Sequence, residues 1–116
     1  MTKYKYARVP SRGEGIVYKS GQLEVPDNPI VPFVEGDGTG PDIWRASVRV
    51  FDAAVEKAYQ GARKIAWMEV FAGEKSFKQF NDWLPQDVQA NITSPAFGTF
   101  YNPEYRTYRI QLRFER

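Results

Sequence analysis

The stretch that decides the fold runs from Ile30 to Ala72. It reads IVPFVE at 30–35, GDGTGPD at 36–42, a long amphipathic run to Tyr59, and ARKIAWMEVFA at 62–72. This order predicts a strand, a glycine-rich turn, a helix and a second strand. Two parallel strands need a crossover, which is usually helical and right-handed. The stretch therefore predicts an α/β unit whose sheet must be completed by other residues.

The helix is predicted from Pro41 to about Gln60. Proline suits the first helical position, Asp42 in the first turn complements the helix dipole, and Gly61 suits the C-terminal stop. Apolar residues at helical spacing form one stripe: Ile43, Ala46, Val50, Phe51, Ala54, Ala58 and Tyr59. The charged residues on the remaining faces indicate a solvated surface.

The two strands differ in character. Ile30–Glu35 contains Pro32, which removes a hydrogen-bond donor and favours an edge or the start of a strand. Lys64–Ala72 is apolar on both alternations, which is typical of a strand buried on both faces of a parallel sheet. Gly73 is expected to end it.

The flanking residues divide the chain into three predicted parts. Residues 1–15 are polar and basic and are expected to be a flexible arm. Residues 16–90 hold the α/β unit, preceded by a small hairpin around Lys19, Ser20 and Gly21. Residues 91–116 are predicted to form a C-terminal β-hairpin, because apolar residues alternate with polar ones from Thr107 to Glu115.

The composition limits the possible functions. The 116 residues suffice for one domain, and the net charge of +2 singles out neither nucleic acid nor an acidic membrane as a partner. The chain has no cysteine and no histidine, so thiolate chemistry, the commonest general base and the commonest metal ligand are all excluded. No signal segment or membrane-spanning run is evident, so a cytoplasmic location is expected.

The glycine loop at 36–40 has two possible roles, a ligand site or a structural turn. It has the pattern Gly-x-Gly-x-Gly-Pro, whereas the dinucleotide fingerprint requires Gly-x-Gly-x-x-Gly after a strand. We therefore interpret Gly36, Asp37, Gly38 and Gly40 as a structural turn. Anion binding at the amides of the helix N-terminus remains the alternative, opposed by the carboxylates of Asp37 and Asp42.

Two further patterns have competing interpretations. Glu35, Asp37 and Asp42 supply oxygen atoms for a divalent cation, but no second carboxylate group has fitting spacing, so capping is favoured and no metal site or catalytic residue is assigned. The arginines of the tail suit nucleic-acid binding, but acidic residues dilute them and no RNA-binding signature accompanies them. An amphipathic strand covering a core is favoured there.

Four runs resemble the isocitrate and isopropylmalate dehydrogenase family, and within it the NADP-dependent isocitrate dehydrogenases. They are LEVPDNPIVPFVEGDGTG at 23–40, VFDAAVEKAYQG at 50–61, KIAWMEVFAGEKS at 64–76 and DWLP at 82–85. The resemblance is near-continuous over about residues 15–85.

The resemblance implies a partial isopropylmalate dehydrogenase-like fold in a truncated member of a homodimeric family. The family oxidises isocitrate with NADP and Mg or Mn and decarboxylates it to 2-oxoglutarate, a tricarboxylic acid cycle reaction. Its metal carboxylates and its catalytic Lys and Tyr lie in a region that this chain lacks. We therefore expect the chain to be inactive alone, to bind no cofactor and to pair with itself or with a full-length dehydrogenase subunit. A small non-catalytic interaction module is the alternative.

Two family segments have candidate counterparts after Pro85. Ile92–Pro95 resembles the turn that touches the cofactor, which makes Thr93 the candidate cofactor residue. Residues 106–113 resemble the segment that holds isocitrate, which makes Thr107 and Arg113 the candidate substrate residues. The rival interpretation is that residues from about Asn91 have another origin, in a chimeric tail resembling the closing strand of TonB-dependent receptors.

Overall fold

The computed structural model describes residues 4–88. Its elements are β1 Val17–Lys19, β2 Gln22–Glu24, β3 Ile30–Phe33, α1 Gly40–Tyr59, β4 Ala66–Glu69 and α2 Glu74–Phe80. Residues 86–88 are helical as well. The predicted C-terminal hairpin at 91–116 lies outside the described residues. Within residues 4–88, no helix is both long enough and apolar enough to cross a membrane.

β3 and β4 form the predicted parallel pair, with α1 as the crossover. Ile30 pairs with Ala66 and Phe33 with Glu69, so only four residues of each strand are paired. Both strands are shorter than predicted. The pairing ends before the apolar runs do, because the chain turns away from the sheet soon after each strand. The turn after β3 is at Gly36, whose φ is 75°, and the turn after β4 is at Gly73.

α1 begins and ends close to the predicted positions. It covers one face of the sheet through aromatic rings: Trp44 stacks on Phe33 with centroids 4.1 Å apart and meets Trp67 edge-on at 5.0 Å. The Trp67 indole Nε1 also donates to Asp52 Oδ1 at 2.9 Å. Gln60 closes the helix in the left-handed conformation, and its amide donates to Glu56 O at 2.8 Å.

The face of α1 that meets the sheet overlaps the predicted apolar stripe only in part, at Phe51, whose ring centroid lies 6.1 Å from that of Trp67. Ile43 and Val50 of that stripe are 62% and 66% exposed, whereas Trp44 is partly buried. The difference arises because large aromatic rings bury more area than Ile, Val or Ala, so the Trp44 side decides how the helix docks. No residue of α1 is buried within the described structure.

The second face of the sheet packs against residues near both ends of the described range 4–88. Ala7, Met68, Val70 and Val88 form the buried cluster. Gly13 lies against Ile30 and Ala66 so closely that an added Cβ would be 2.5 Å from Ile30 Cγ1. Part of the segment expected to be a flexible arm is thus packed against the sheet in the described structure.

β1 and β2 form a separate antiparallel pair, in which Tyr18 pairs with Leu23. The turn between them is Ser20-Gly21, with φ of 49° and 85°. Positive φ at both central residues is typical of a tight hairpin turn whose twist matches that of the strands. All six strand residues are exposed.

Candidate functional site

The carboxyl ends of β3 and β4 lie side by side, and this edge of a parallel sheet is where ligands commonly bind. Glu69 ends β4, and Glu35 follows β3 by two residues. The ammonium group of Lys75, on α2, donates to Glu35 Oε2 at 3.0 Å and to Glu69 Oε1. One cation therefore joins the ends of both strands to the following helix.

The two carboxylates also hold Lys75 in its charged form. Partial burial lowers the pKa of Lys75, but the hydrogen bonds to Glu69 and Glu35 and their negative charges outweigh it, so the pKa lies above its ordinary value. A lysine in this state is an internal counterion at neutral pH. It is unsuited to act as a general base there, because a base must give up its proton near the working pH.

Asp37 of the glycine loop caps α2. Its Oδ1 accepts a hydrogen bond from the amide of Glu74 at 2.7 Å. Gly73, which precedes α2, has a φ of 78°, and a Cβ added there would lie 2.5 Å from that same carboxylate oxygen. The absence of a side chain at Gly73 thus makes room for the cap. This contact joins the loop after β3 to the loop after β4.

The other residues of the glycine loop shape the turn between β3 and α1 through their backbone geometry. The amide of Gly40 donates to Asp37 O at 3.0 Å, and a Cβ at Gly40 would lie 2.0 Å from Glu35 O. Gly36 and Gly38 both have positive φ, at 75° and 59°. These geometries support the predicted structural turn, since residues with a side chain rarely adopt them.

The described part of this edge offers no set of ligands that fits the family's divalent metal. Residues 4–88 contain no group of three or more acidic side chains arranged to hold an ion. Glu35 and Glu69 are occupied by Lys75, Asp37 caps α2, and Asp42 pairs with Arg45 at 3.3 Å on the exposed surface of α1.

Thr93, Thr107 and Arg113, the candidate cofactor and substrate residues, lie outside the described residues. They remain predictions. The sequence reasoning missed Lys75, Glu69 and Gly73 as members of one arrangement. A signal was present, because the run at 64–76 that carries part of the family resemblance contains all three.

Comparisons with known proteins agree on one family. The family model for isocitrate/isopropylmalate dehydrogenases matches residues 30–110. It extends beyond residue 85, where the resemblance was expected to fade, and covers most of the predicted tail.

Three relatives illustrate the similarity, and each carries the name isocitrate dehydrogenase [NADP]. The protein of Coxiella burnetii is 54% identical over 108 residues, covering 82% of this chain and 25% of its own. The Staphylococcus aureus Mu50 protein is 55% identical over 113 residues, covering 88% and 26%. The Nostoc protein is 51% identical over 91 residues, covering 77% and 19%. This chain thus spans about a quarter or less of the length of these relatives.

Proposed function

Because the chain belongs to the isocitrate and isopropylmalate dehydrogenase family, we propose that it is a scaffold segment of an NADP-dependent isocitrate dehydrogenase. The reaction of such an enzyme is the oxidation of isocitrate by NADP and its decarboxylation to 2-oxoglutarate. The segment's own part is to supply the strand, helix and strand that support one edge of the sheet. Identities of 51–55% to three dehydrogenases support this assignment.

We propose further that the chain is inactive by itself. The observation that carries this proposal is the occupation of the ionisable groups at the carboxyl edge: Lys75 holds Glu35 and Glu69, and Asp37 caps α2. Each of these groups serves a contact that joins two elements, and the described residues contain no acidic cluster arranged to hold a metal ion. The expected NADP contact at Thr93 and the isocitrate contacts at Thr107 and Arg113 belong to the same proposal.

The test is the formation of NADPH, followed by absorbance, with isocitrate, NADP and Mg²⁺ or Mn²⁺. No turnover above a chain-free control is expected. Turnover that disappears on addition of a chelator would overturn the inactivity. Isothermal titration with NADP, with and without the metal, separately tests whether the chain binds the cofactor. The expected result is no measurable heat of binding.

A non-catalytic interaction module is the second candidate, and the exposed apolar side chains of α1 favour it. Ile43 and Val50 present their surface to solvent on one side of a helix that has no buried residue in the described structure. Such a surface is typical of an interaction site. The proposed partners are a second copy of the chain or a full-length dehydrogenase subunit, and the proposed location is the cytoplasm.

Mass measurement separates the two candidates. The chain is analysed by sedimentation alone and mixed with a full-length family dehydrogenase. A complex with either partner supports the interaction module. A chain that stays a monomer in both samples counts against it and leaves the scaffold assignment untouched, because that assignment does not depend on association.

A further inference from the structure

Residues 4–8 cross the face of the sheet that α1 leaves open, and we call them the strap. Ala7 lies in the buried cluster with Met68 and Val70, and Tyr4 packs against the same cluster. The ring of Tyr6 stacks on that of Phe80 of α2, with centroids 4.2 Å apart. Parallel sheets usually have helices on both faces. Among residues 4–88, an irregular segment covers this face.

Asp87 holds the strap from the other end of the described chain. Its side chain is buried, with the residue 7% exposed. Oδ1 accepts from the amide of Lys5 at 2.8 Å, and Oδ2 accepts from the amides of Tyr6 at 2.6 Å and Ala7 at 2.9 Å. Three successive amides thus converge on one carboxylate. Hydrogen bonds to a charged group are stronger than those between neutral groups.

The strap borders an open cleft. The cleft has a volume of about 380 Å³ and lies beside the contact between Tyr6 and Phe80. The lining residues are Tyr6, Arg8, Glu69, Phe71, Gln79 and Phe80. A short segment that contributes only Ala7 to the buried cluster, and is exposed to solvent along a cleft, is expected to open more readily than the sheet beneath it.

We propose that the strap is a separately opening cover of the sheet and that Asp87 is its latch. When the latch is closed, the strap shields Met68 and Val70 from solvent. When it opens, the β3–β4 ladder stays intact, because the backbone hydrogen bonds of that ladder involve neither the strap nor Asp87. The strap is therefore a conformational element with two positions, controlled by one carboxylate.

Charges around the latch favour the closed position. The ammonium group of Lys5 lies 4.8 Å from the centroid of the Tyr6 ring, and its positive charge also acts on Asp87. Burial raises the pKa of Asp87, but the three amide hydrogen bonds and the charge of Lys5 outweigh it and hold the pKa below its usual range. The latch is thus ionised and closed at neutral pH.

The experiment compares amide hydrogen exchange in the full chain and in two variants. Asp87→Asn keeps the shape of the latch and removes its charge. Asp42→Asn is the matched control, because it removes the same charge from the exposed surface of α1. The amides of Tyr6 and Ala7 report on the strap, and the amide of Val70, which donates to Phe33 O at 2.9 Å, reports on the sheet.

In Asp87→Asn the amides of Tyr6 and Ala7 are expected to exchange at least about tenfold faster than in the unchanged chain, while Val70 keeps its protection. Asp42→Asn is expected to leave all three unchanged. The proposal is overturned if Tyr6 and Ala7 exchange at the rates seen in Asp42→Asn. It is equally overturned if Val70 loses protection together with them, because the strap then opens only when the whole chain unfolds.

Discussion

Gly73 is the residue whose identity the structure explains most directly. A Cβ atom at this position would lie 2.5 Å from Asp37 Oδ1, which is too close for any side chain. The backbone also has a φ of 78°. We expect Gly73→Ala to lower the free energy of unfolding by about 1–3 kcal/mol, because both strain and a displaced cap contribute. Urea denaturation measures the change.

Gly15→Ala is the control for that variant. An added Cβ at Gly15 meets nothing within 4 Å, and its φ is not in the left-handed region. Its unfolding free energy is expected to stay within about 0.5 kcal/mol of that of the unchanged chain. Equal stabilities of the two variants would contradict the link between Gly73 and Asp37.

Lys75 gives a second prediction at the residue scale. Lys75→Met removes the cation between Glu35 and Glu69 and leaves two neighbouring carboxylates facing each other. We expect a loss of about 1 kcal/mol at pH 7, a modest value because the three side chains are about a third exposed and therefore screened by solvent.

Lys78→Met is the matched control. Lys78 pairs with Glu74 at 2.8 Å, but both side chains are well exposed and the pair lies within one helix. Its removal is expected to cost about 0.3–0.5 kcal/mol. The role assigned to Lys75 fails if both variants lose the same stability.

The raised pKa of Lys75 determines the pH range in which its ion pairs with Glu35 and Glu69 stabilise the folded state. A group whose pKa is higher in the folded state stabilises fully below its unfolded value, about 10.4, and loses that contribution as pH rises through the folded value. The bridge therefore persists throughout the neutral range. Its loss is expected only at strongly alkaline pH.

At the scale of elements, two variants of α1 test which side of the helix packs against the sheet, the side with Trp44 or the side with Ile43. Trp44 meets Phe33 and Trp67, whereas its neighbour Ile43 is 62% exposed. Trp44→Ala is expected to cost about 2–3 kcal/mol, somewhat less than a fully buried tryptophan, and Ile43→Ala less than about 0.5 kcal/mol. Thermal or urea unfolding of both variants measures the difference. The reverse order would show that the predicted stripe faces the core.

The elements themselves were largely predictable because their signals are local. Pro41 and the Gln60–Gly61 stop bracket α1, and the turn at Ser20-Gly21 joins β1 to β2. The docked face of α1 was predictable only in part, because periodicity alone does not decide between the stripe that contains Ile43 and Val50 and a neighbouring one that contains Trp44. The lengths of β3 and β4 were overestimated as well. The sequence of one strand does not show where its pairing with the other strand ends.

At the scale of the whole molecule, the missed contacts are those that join distant residues. Asp87 and Lys5 are 82 residues apart, and Asp37 and Glu74 are 37 apart. Neither pair leaves a periodic or local pattern in the sequence. The sequence alone favoured a structural interpretation of the glycine loop, but the contact of Asp37 with the amide of Glu74 on a later helix is visible only in three dimensions.

Asp87 also predicts how the whole chain responds to acid. A carboxyl whose pKa is depressed in the folded state stabilises it above the unfolded value, about 3.9, and loses this contribution as pH falls through the folded value. Lys5 of the strap stays charged in acid, and the negative charge of Asp82 acts on it. The other ionisable side chains of the strap and of the cleft beside it are Tyr4, Tyr6, Arg8 and Glu69. We expect the strap amides to lose protection only below about pH 4.

An NMR titration of the Tyr6 and Ala7 amides from neutral pH to pH 2 checks this expectation. In the unchanged chain both signals should shift with a midpoint below about 3.9. In Asp87→Asn that transition should be absent. A midpoint at or above the ordinary aspartate value would contradict the assigned direction of the pKa.

The separation between Asp87 and Lys5 has a consequence for the order of folding. Closing a loop costs more entropy as the loop lengthens, so contacts between near residues form before contacts between distant ones. We expect α1 to form first, since its hydrogen bonds are local. The β3–β4 pair and the Asp37 cap should follow, and the strap should dock last, on a sheet already in place.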